Sequence, residues 1–410
     1  DQKVIPLYDD DHKLKREKVA IVDAGGHLAQ VLARKVRELR VYSEVISVDT
    51  PIADYKNKGY KAVLVVGSMA DMAPEDVPYP DGFWELDLPI LAIGDPALVM
   101  AKHKDPEATY QEEVTAQELE FEAEEKTVAG RFVDAHFSGD VKAFDHYESN
   151  EDVVVHNFRP LTLGHEGPWD VSCVTSDTLL SRTRTSQSIA VLAYQNEDEK
   201  RYGLLYHPEL SESKDDERFL KRFLVDVAEV SRTWDLQSYI DDTVARLKHV
   251  IGDKKALCAF SGGIDSVVAS LLVHRAIGQN LTCIFVDTGL MRHNEVAEVE
   301  KVFSDNYQMN LKIVDAEDRF LTKLKGVTDP EEKRKIIGTE FIRVFEEEAK
   351  ALGHVDYLVQ GTIYPDVIES GFAGQAKVKS HHNVGGLPED IGFTGIIEPL
   401  RDLFKLEVRR

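Results

Sequence analysis

From Lys18 onward the chain alternates short apolar runs with stretches of helical periodicity. KVAIVDAGG is a β-branched run ending in glycine, which predicts a buried strand and its turn. In HLAQVLARKVREL the apolar residues Leu28, Val31, Leu32 and Val36 recur three and four apart, one face of a helix. YSEVISV, KAVLVVG (61–67) and LPILAIG (88–94) predict further strands. Strands alternating with helices imply a mostly parallel sheet covered on both faces. Residues 95–150 are Glu-rich and helical in flavour. Beyond them VVVHN, SIAVLAYQ and YGLLYHPE are strand-like, and FLKRFLVDVAEV (219–230) is an amphipathic helix closing the unit.

A second unit begins near Trp234. SYIDDTVARLKHVIG predicts a helix ending at Gly252, and KKALCAF a buried strand followed at once by SGGIDS. A helix (VVASLLVHRAIG), two strands (LTCIFVDTG and NLKIVDA), a long helix (331–353) and a last strand (VDYLVQGT) continue the alternation. This is a second parallel sheet. The first seventeen residues, DQKVIPLYDDDHKLKRE, have no apolar h-region and are expected to form a flexible tail. The expected boundaries are therefore 1–17, 18–232 and 233–410.

Length and charge narrow the functional classes. At roughly 150 residues per domain, 410 residues fit two or three domains. A net charge of −24, of which −18 falls before Trp234, argues against a general nucleic-acid or anionic-membrane binder. It leaves room for a local basic pocket for phosphates. No apolar run reaches the roughly 18 residues of a spanning helix. Cys173, Cys258 and Cys283 cannot form a disulfide framework or a CxxC metal site, which points to a reducing, cytoplasmic setting.

The sharpest chemical signal is Ser261-Gly262-Gly263-Ile264-Asp265-Ser266, between a buried strand and a helix. A ligand there meets a helix N-terminus and a row of backbone N–H groups. The glycines allow close approach to an anion, the serine hydroxyls can donate to phosphate oxygens, and Asp265 can hold a Mg²⁺ bridging them. It is not a Walker A loop, because GxxxxGK[ST] is absent. The loop resembles that of the ATP pyrophosphatases, which split ATP into AMP and pyrophosphate. VDTGLMRHNE, DPEEKRKIIGTEFI, QGTIYPDVIES, KVKSHHNVGGLPE and EPLRDLFKLEVR follow in order, and together they resemble the synthetase domain of the GMP synthetase family over residues 234–409.

That resemblance implies a chemistry. ATP adenylates the C2 oxygen of XMP, releasing pyrophosphate, and ammonia displaces AMP to give GMP. Ser261, Gly262, Gly263, Asp265 and Ser266 match the loop cradling the β,γ-phosphates with Mg²⁺, and Asp287 and Gly289 match a strand end near the adenosine. Asp366 and Glu369 match carboxylates at the nucleotide–metal junction, which makes Asp265 and Asp366 the implied Mg²⁺ ligands. Lys379, His381 and His382 match a lid, with Lys379 the natural cation for the phosphates and, with Asp265, the implied catalytic pair. Read from the residues alone, Asp366 after Pro365 can equally cap a turn. Arg334 and Lys335 serve either phosphates or a solvated helix face, and the His pair lacks a third metal ligand at useful spacing.

The amino-terminal unit resembles a class I glutamine amidotransferase domain through VDAGGHLAQVLARKVRELRVYSE and YGLLYHPEL. His207 and Glu209 fall on that family's general base and its orienting carboxylate. A triad also needs a nucleophile on a strand-to-helix elbow. Here the elbow reads Ile93-Gly94-Asp95-Pro96, with Gly94 where the family has cysteine, and the oxyanion loop reads VGSMA (66–70). The three cysteines present are read as structural.

Two α/β domains are therefore expected. One is a degenerate, flavodoxin-like amidotransferase sheet, and the other an adenine-nucleotide α-hydrolase-like synthetase. The expected ligase takes XMP, MgATP and ammonia, the ammonia coming from solution or a separate glutaminase, and has no glutaminase activity of its own. The competing expectation is a non-catalytic nucleotide-binding paralogue. The resemblance stops ahead of a small carboxy-terminal domain through which the family dimerises, so a homodimer is implied.

Overall fold

The computed structural model of the chain describes residues 3–69, 71–111, 159–164, 166–174, 191–210, 214–260, 263–372 and 392–410. They fall into two compact units, His12–Trp234, and Asp235–Arg410 together with the first eleven residues.

The His12–Trp234 unit is built on a nine-stranded sheet in the order β2-β1-β3-β4-β9-β8-β6-β5, with β7 also on β8. Its parallel half comprises β1 (Lys18–Asp23), β2 (Tyr42–Ser47), β3 (Tyr60–Gly67), β4 (Ile90–Gly94) and β9 (Arg201–Leu204). Val19 to Val22 and Ile90 to Ile93 are fully buried, as expected where helices cover both faces of a sheet. Helix α1 (Ala29–Glu38) buries Ala29, Leu32, Ala33 and Val36, while Val31 of the expected face stays half-exposed. The other half is antiparallel: β5 (Thr109–Tyr110), β6 (Leu161–Thr162), β7 (Asp170–Val174) and β8 (Val191–Asn196). Helix α2 (Asp95–Lys104) follows β4 directly, and α3 (Lys214–Arg222) lies near the unit's end. The expected strand VVVHN and most of the Glu-rich stretch lie outside the described residues.

The other unit carries a wholly parallel five-stranded sheet in the order β12-β11-β10-β13-β14. The strands are β10 (Ala256–Phe260), β11 (Leu281–Asp287), β12 (Asn310–Asp315), β13 (Tyr357–Val359) and β14 (Gly395–Ile397). Helix α4 (Leu236–Ile251) precedes the sheet, N-capped by Asp235, and α5 (Ile264–Ile277) follows β10. Helices α6 (Glu317–Leu324) and α7 (Pro330–Ala351) pack over β11, with Phe320 and Phe345 fully buried. The last two helices are α8 (Tyr364–Phe372) and α9 (Lys405–Arg409). Strand order runs outward from β10 in both directions, so the loop after β10 sits at the topological switch point, where open α/β sheets bind ligands.

The amino-terminal stretch corrects the sequence expectation of a flexible tail. Val4 pairs in parallel with Ile396 of β14; Ile5 N–H donates to Ile396 O at 2.8 Å, and Ile396 N–H to Lys3 O at 2.9 Å. Arg246 Nε donates to Leu7 O at 2.8 Å, and the hydroxyls of Tyr8 and Thr243 lie 2.9 Å apart. The segment thus extends the sheet edge of the unit that follows Trp234. Trp234 meets Tyr42 at a tilt, ring centroids 4.8 Å apart, within the His12–Trp234 unit, with the guanidiniums of Arg16 and Arg37 over both rings.

Candidate active site

Two constellations carry chemistry, one in each unit.

In the carboxy-terminal unit, β10 delivers Gly263 as N-cap of α5, and Asp265 lies in that helix's first turn. Asp265 is only 2% exposed. A carboxylate so buried requires a charged partner. Lys405 Nζ, at the start of α9, donates to its Oδ1 at 2.8 Å. The turn after β13 closes on the same helix end. A Cβ on Gly361 would lie 2.7 Å from Ser266 N and 2.9 Å from Asp265 C, so only glycine permits this approach. Asp287, at the end of β11, accepts from Gly289 N–H at 3.0 Å and so shapes its own loop; Gly289 has φ +73° and a Cβ there would strike Glu317. Asp366, in the first turn of α8, accepts from Ile363 N–H at 3.0 Å, which is the cap that Pro365 allows for. Glu369 on the same helix is exposed.

Arg334 and Lys335 are exposed on α7, and Arg334 pairs with Glu331 at 3.0 Å, a solvated helix face. Ser261, Gly262, Lys379, His381 and His382 lie outside the described residues. No group of three or more His, Cys, Asp or Glu that could hold a metal occurs among the described residues. Asp265 and Asp366 are carboxylates of the type that a Mg²⁺ takes one or two of, together with waters and phosphate oxygens. Lys405 is the residue that sequence reading missed. It stands inside the EPLRDLFKLEVR stretch, but its partner Asp265 is 140 positions away.

In the amino-terminal unit, Gly94 ends β4 and caps α2 with φ +75° and ψ −133°, the strained turn of an elbow. His207 and Glu209 follow β9 in full burial, with His207 Nδ1 2.7 Å from Glu209 Oε1. A Cβ on Gly94 would lie 2.8 Å from His207 Cε1 and 3.0 Å from its Nε2. The expected base, its orienting carboxylate and the glycine at the nucleophile position are therefore brought together.

The oxyanion loop is tied down from within. Met69 N–H donates to Asp95 Oδ2 at 2.9 Å, and Arg159 Nη1 donates to Asp95 Oδ1 at 2.8 Å. Arg159 Nη2 also donates to Met69 O at 3.0 Å. Burial raises the Asp95 carboxyl above its ordinary range, against the opposing pull of the Met69 N–H and Arg159. Cys258 and Cys283 are buried in β10 and β11 of the other unit; burial pushes the Cys258 thiol well up and the Cys283 thiol up to about 12. Neither supplies a thiolate near neutral pH.

No helix among the described residues is long and apolar enough to cross a membrane. The model of glutamine amidotransferase class-I matches residues 20–227, and that of the phosphoadenosine phosphosulfate reductase domain matches residues 255–362. The chain is 43% identical over 402 residues to a glutamine-hydrolysing GMP synthase of Clostridium tetani, covering 97% of this chain and 73% of that protein. It is 43% identical over 404 residues to the like-named protein of Clostridium novyi, and 41% over 399 residues to that of Clostridium botulinum, with 97% of this chain and 72% of each relative covered. The two domain matches fall on the two sheets, and the identity to these relatives runs through both: the chain belongs to the family of glutamine-hydrolysing GMP synthases.

Proposed function

We propose that this chain is a GMP-forming ligase that takes its nitrogen as ammonia. ATP adenylates the C2 oxygen of XMP, pyrophosphate leaves, and ammonia displaces AMP. The phosphate loop 261–266 at the switch point binds the β,γ-phosphates through its backbone N–H groups and serines, and Asp265 takes the accompanying Mg²⁺. Asp287 and Gly289 shape the adenosine side, Asp366 and Glu369 serve the nucleotide–metal junction, and Lys379 and His381 contribute to phosphate binding.

The observation that carries the ammonia reading is Gly94. Where a thiolate would stand opposite His207 there is only a hydrogen, and the neighbouring Asp95 occupies the Met69 N–H of the oxyanion loop. With glycine at the elbow, the His207–Glu209 pair faces no thiolate at that position. Ammonia then comes from solution or from a separate glutaminase. The test is GMP formation from XMP and MgATP with ammonium or glutamine as sole nitrogen source, run beside Asp265→Ala. Product with ammonium only is expected. Product with purified glutamine overturns the reading of Gly94. No product from either source, with ATP still bound, shifts the assignment to a nucleotide-binding paralogue.

A further inference from the structure

Gly395, the first residue of β14, is a seat for the amino-terminal arm. A Cβ on it would lie 2.5 Å from both Ile5 Cγ1 and Ile5 Cδ1 and 2.8 Å from Lys3 O, and these are its three nearest atoms. Gly395 is not among the glycines of positive φ, so no turn calls for it. Glycine inside a strand marks the close approach of another backbone, and here that backbone is the arm. Leu7, further along the arm, is itself buried. The edge of β14 is thus shaped to receive residues 3–8.

Helix α4 ties the arm to the chain that leaves β14. Tyr239, Thr243 and Arg246 stand at i, i+4 and i+7, on one face of that helix. The Thr243 hydroxyl meets Tyr8 OH, and Arg246 Nε donates to Leu7 O. Tyr239 OH donates to Pro399 O at 2.6 Å, two residues past the end of β14. From Pro399 the chain runs to Leu403, whose O accepts from Tyr364 N–H at 2.8 Å, and to Lys405, whose ammonium meets Asp265 in the first turn of α5. One stretch, 395–405, therefore carries the arm at one end and touches the helix of the proposed phosphate loop at the other.

We propose that residues 3–8 are a positioning arm of the phosphate site: added to β14 and closed on α4, they hold 395–405 in place against the start of α5 and so raise the affinity for a phosphate ligand. This rests on reading 261–266 as the phosphate loop. The arm acts through β14 and the turn at Pro399, at a distance from the ligand. The bistable element is the sheet edge, docked or open, and the ligand binds the docked form better. Linkage is reciprocal, so the ligand in turn steadies the arm.

The test is titration calorimetry with magnesium pyrophosphate on wild type, a variant lacking residues 1–8, Gly395→Ala and the two changes combined, with circular dichroism confirming that each is folded. Wild type binds. The deletion and Gly395→Ala each weaken binding by about fivefold or more, the low end of coupling between linked sites. The combined variant binds no more weakly than the deletion alone, because the added Cβ then has no arm to strike. Amide exchange at Ile5 and Ile396 of wild type slows when magnesium pyrophosphate is added, which a purely structural arm would not show. Should the deletion not fold, Ile5→Ala takes its place under the same expectation. Wild-type affinity in the folded deletion, or losses that add in the combined variant, overturns the role of the arm and leaves the loop reading intact. Failure of wild type itself to bind overturns the reading of the loop.

Discussion

Gly94 and His207 face each other so closely that a Cβ on the glycine would lie 3.0 Å from the imidazole Nε2. That is the approach of a side-chain nucleophile to its base. The same Cβ would lie 2.3 Å from Gly67 O, a backbone atom with no rotamer to yield. A reintroduced side chain therefore has a direction to point in and no room to stand. Gly94→Cys is expected not to restore glutamine hydrolysis, and to cost about 1–3 kcal/mol of stability through strain at this positive φ. Glutamate release from glutamine and a melting curve check both parts. Hydrolysis by the single variant would show that the elbow relaxes more readily than its contacts imply.

Asp95 and Arg159 form an ion pair in which both side chains are 8% exposed. Arg159→Met leaves a buried carboxylate without its cation, a change that costs about 3–5 kcal/mol at neutral pH. The pH dependence follows from the raised Asp95 carboxyl. An acid whose folded pKa lies above its unfolded value stabilises the fold most when protonated, and loses that contribution as pH rises from the unfolded value through the folded one. Without Arg159 the folded pKa rises further and the window widens. The melting-temperature deficit of Arg159→Met is therefore expected to be small near pH 4 and to grow toward pH 8. A deficit that shrinks with rising pH would contradict this.

The strands were legible in the sequence for a physical reason. Ala256–Phe260 and Ile90–Gly94 are buried on both faces and so read as unbroken apolar runs, and the Gly-rich turn after the first marks a strand passing into a helix. The elbow at Gly94 was legible because LPILAIG-DP runs an apolar strand straight into a helix start, with Gly94 at the junction. The contacts that complete each site were not legible. Arg159 reaches Asp95 across 64 positions and Lys405 reaches Asp265 across 140, and neither lies in a local pattern that periodicity detects. The pairing of Val4 with Ile396 escaped for a different reason. An edge strand takes its hydrogen bonds from a partner, so a short polar-flanked run such as KVIPLY carries no period of its own.

That edge pairing makes its own prediction. Tyr8 OH meets the fully buried Thr243 hydroxyl, and Leu7 O receives Arg246. Tyr8→Phe leaves Thr243 short of a partner and is expected to cost about 1 kcal/mol. Deletion of residues 1–8 uncovers β14 as well, and is expected to lower the melting temperature further and to speed amide exchange at Ile396, whose N–H donates to Lys3 O. Unchanged exchange at Ile396 after the deletion would show that the sheet edge does not depend on this segment.

Gly361 offers the most direct probe of how the phosphate loop is positioned. Its missing side chain lets the turn after β13 rest against the first turn of α5, 2.7 Å from Ser266 N on the Cβ measure. Gly361→Ala must push that turn away from the helix end by several tenths of an ångström. Overpacking of this kind costs about 1–3 kcal/mol, and here the displaced atoms include the Ser266 N–H of the proposed phosphate loop. The expected result is a higher KM for ATP and weaker binding of magnesium pyrophosphate, by about tenfold for each 1.4 kcal/mol lost from the anion contact. The amidotransferase-like unit contains neither residue and should melt as in wild type. A variant that loses stability yet binds pyrophosphate with wild-type affinity would make Gly361 a packing residue only, and would place the phosphate contacts on the glycines before Asp265 rather than on Ser266.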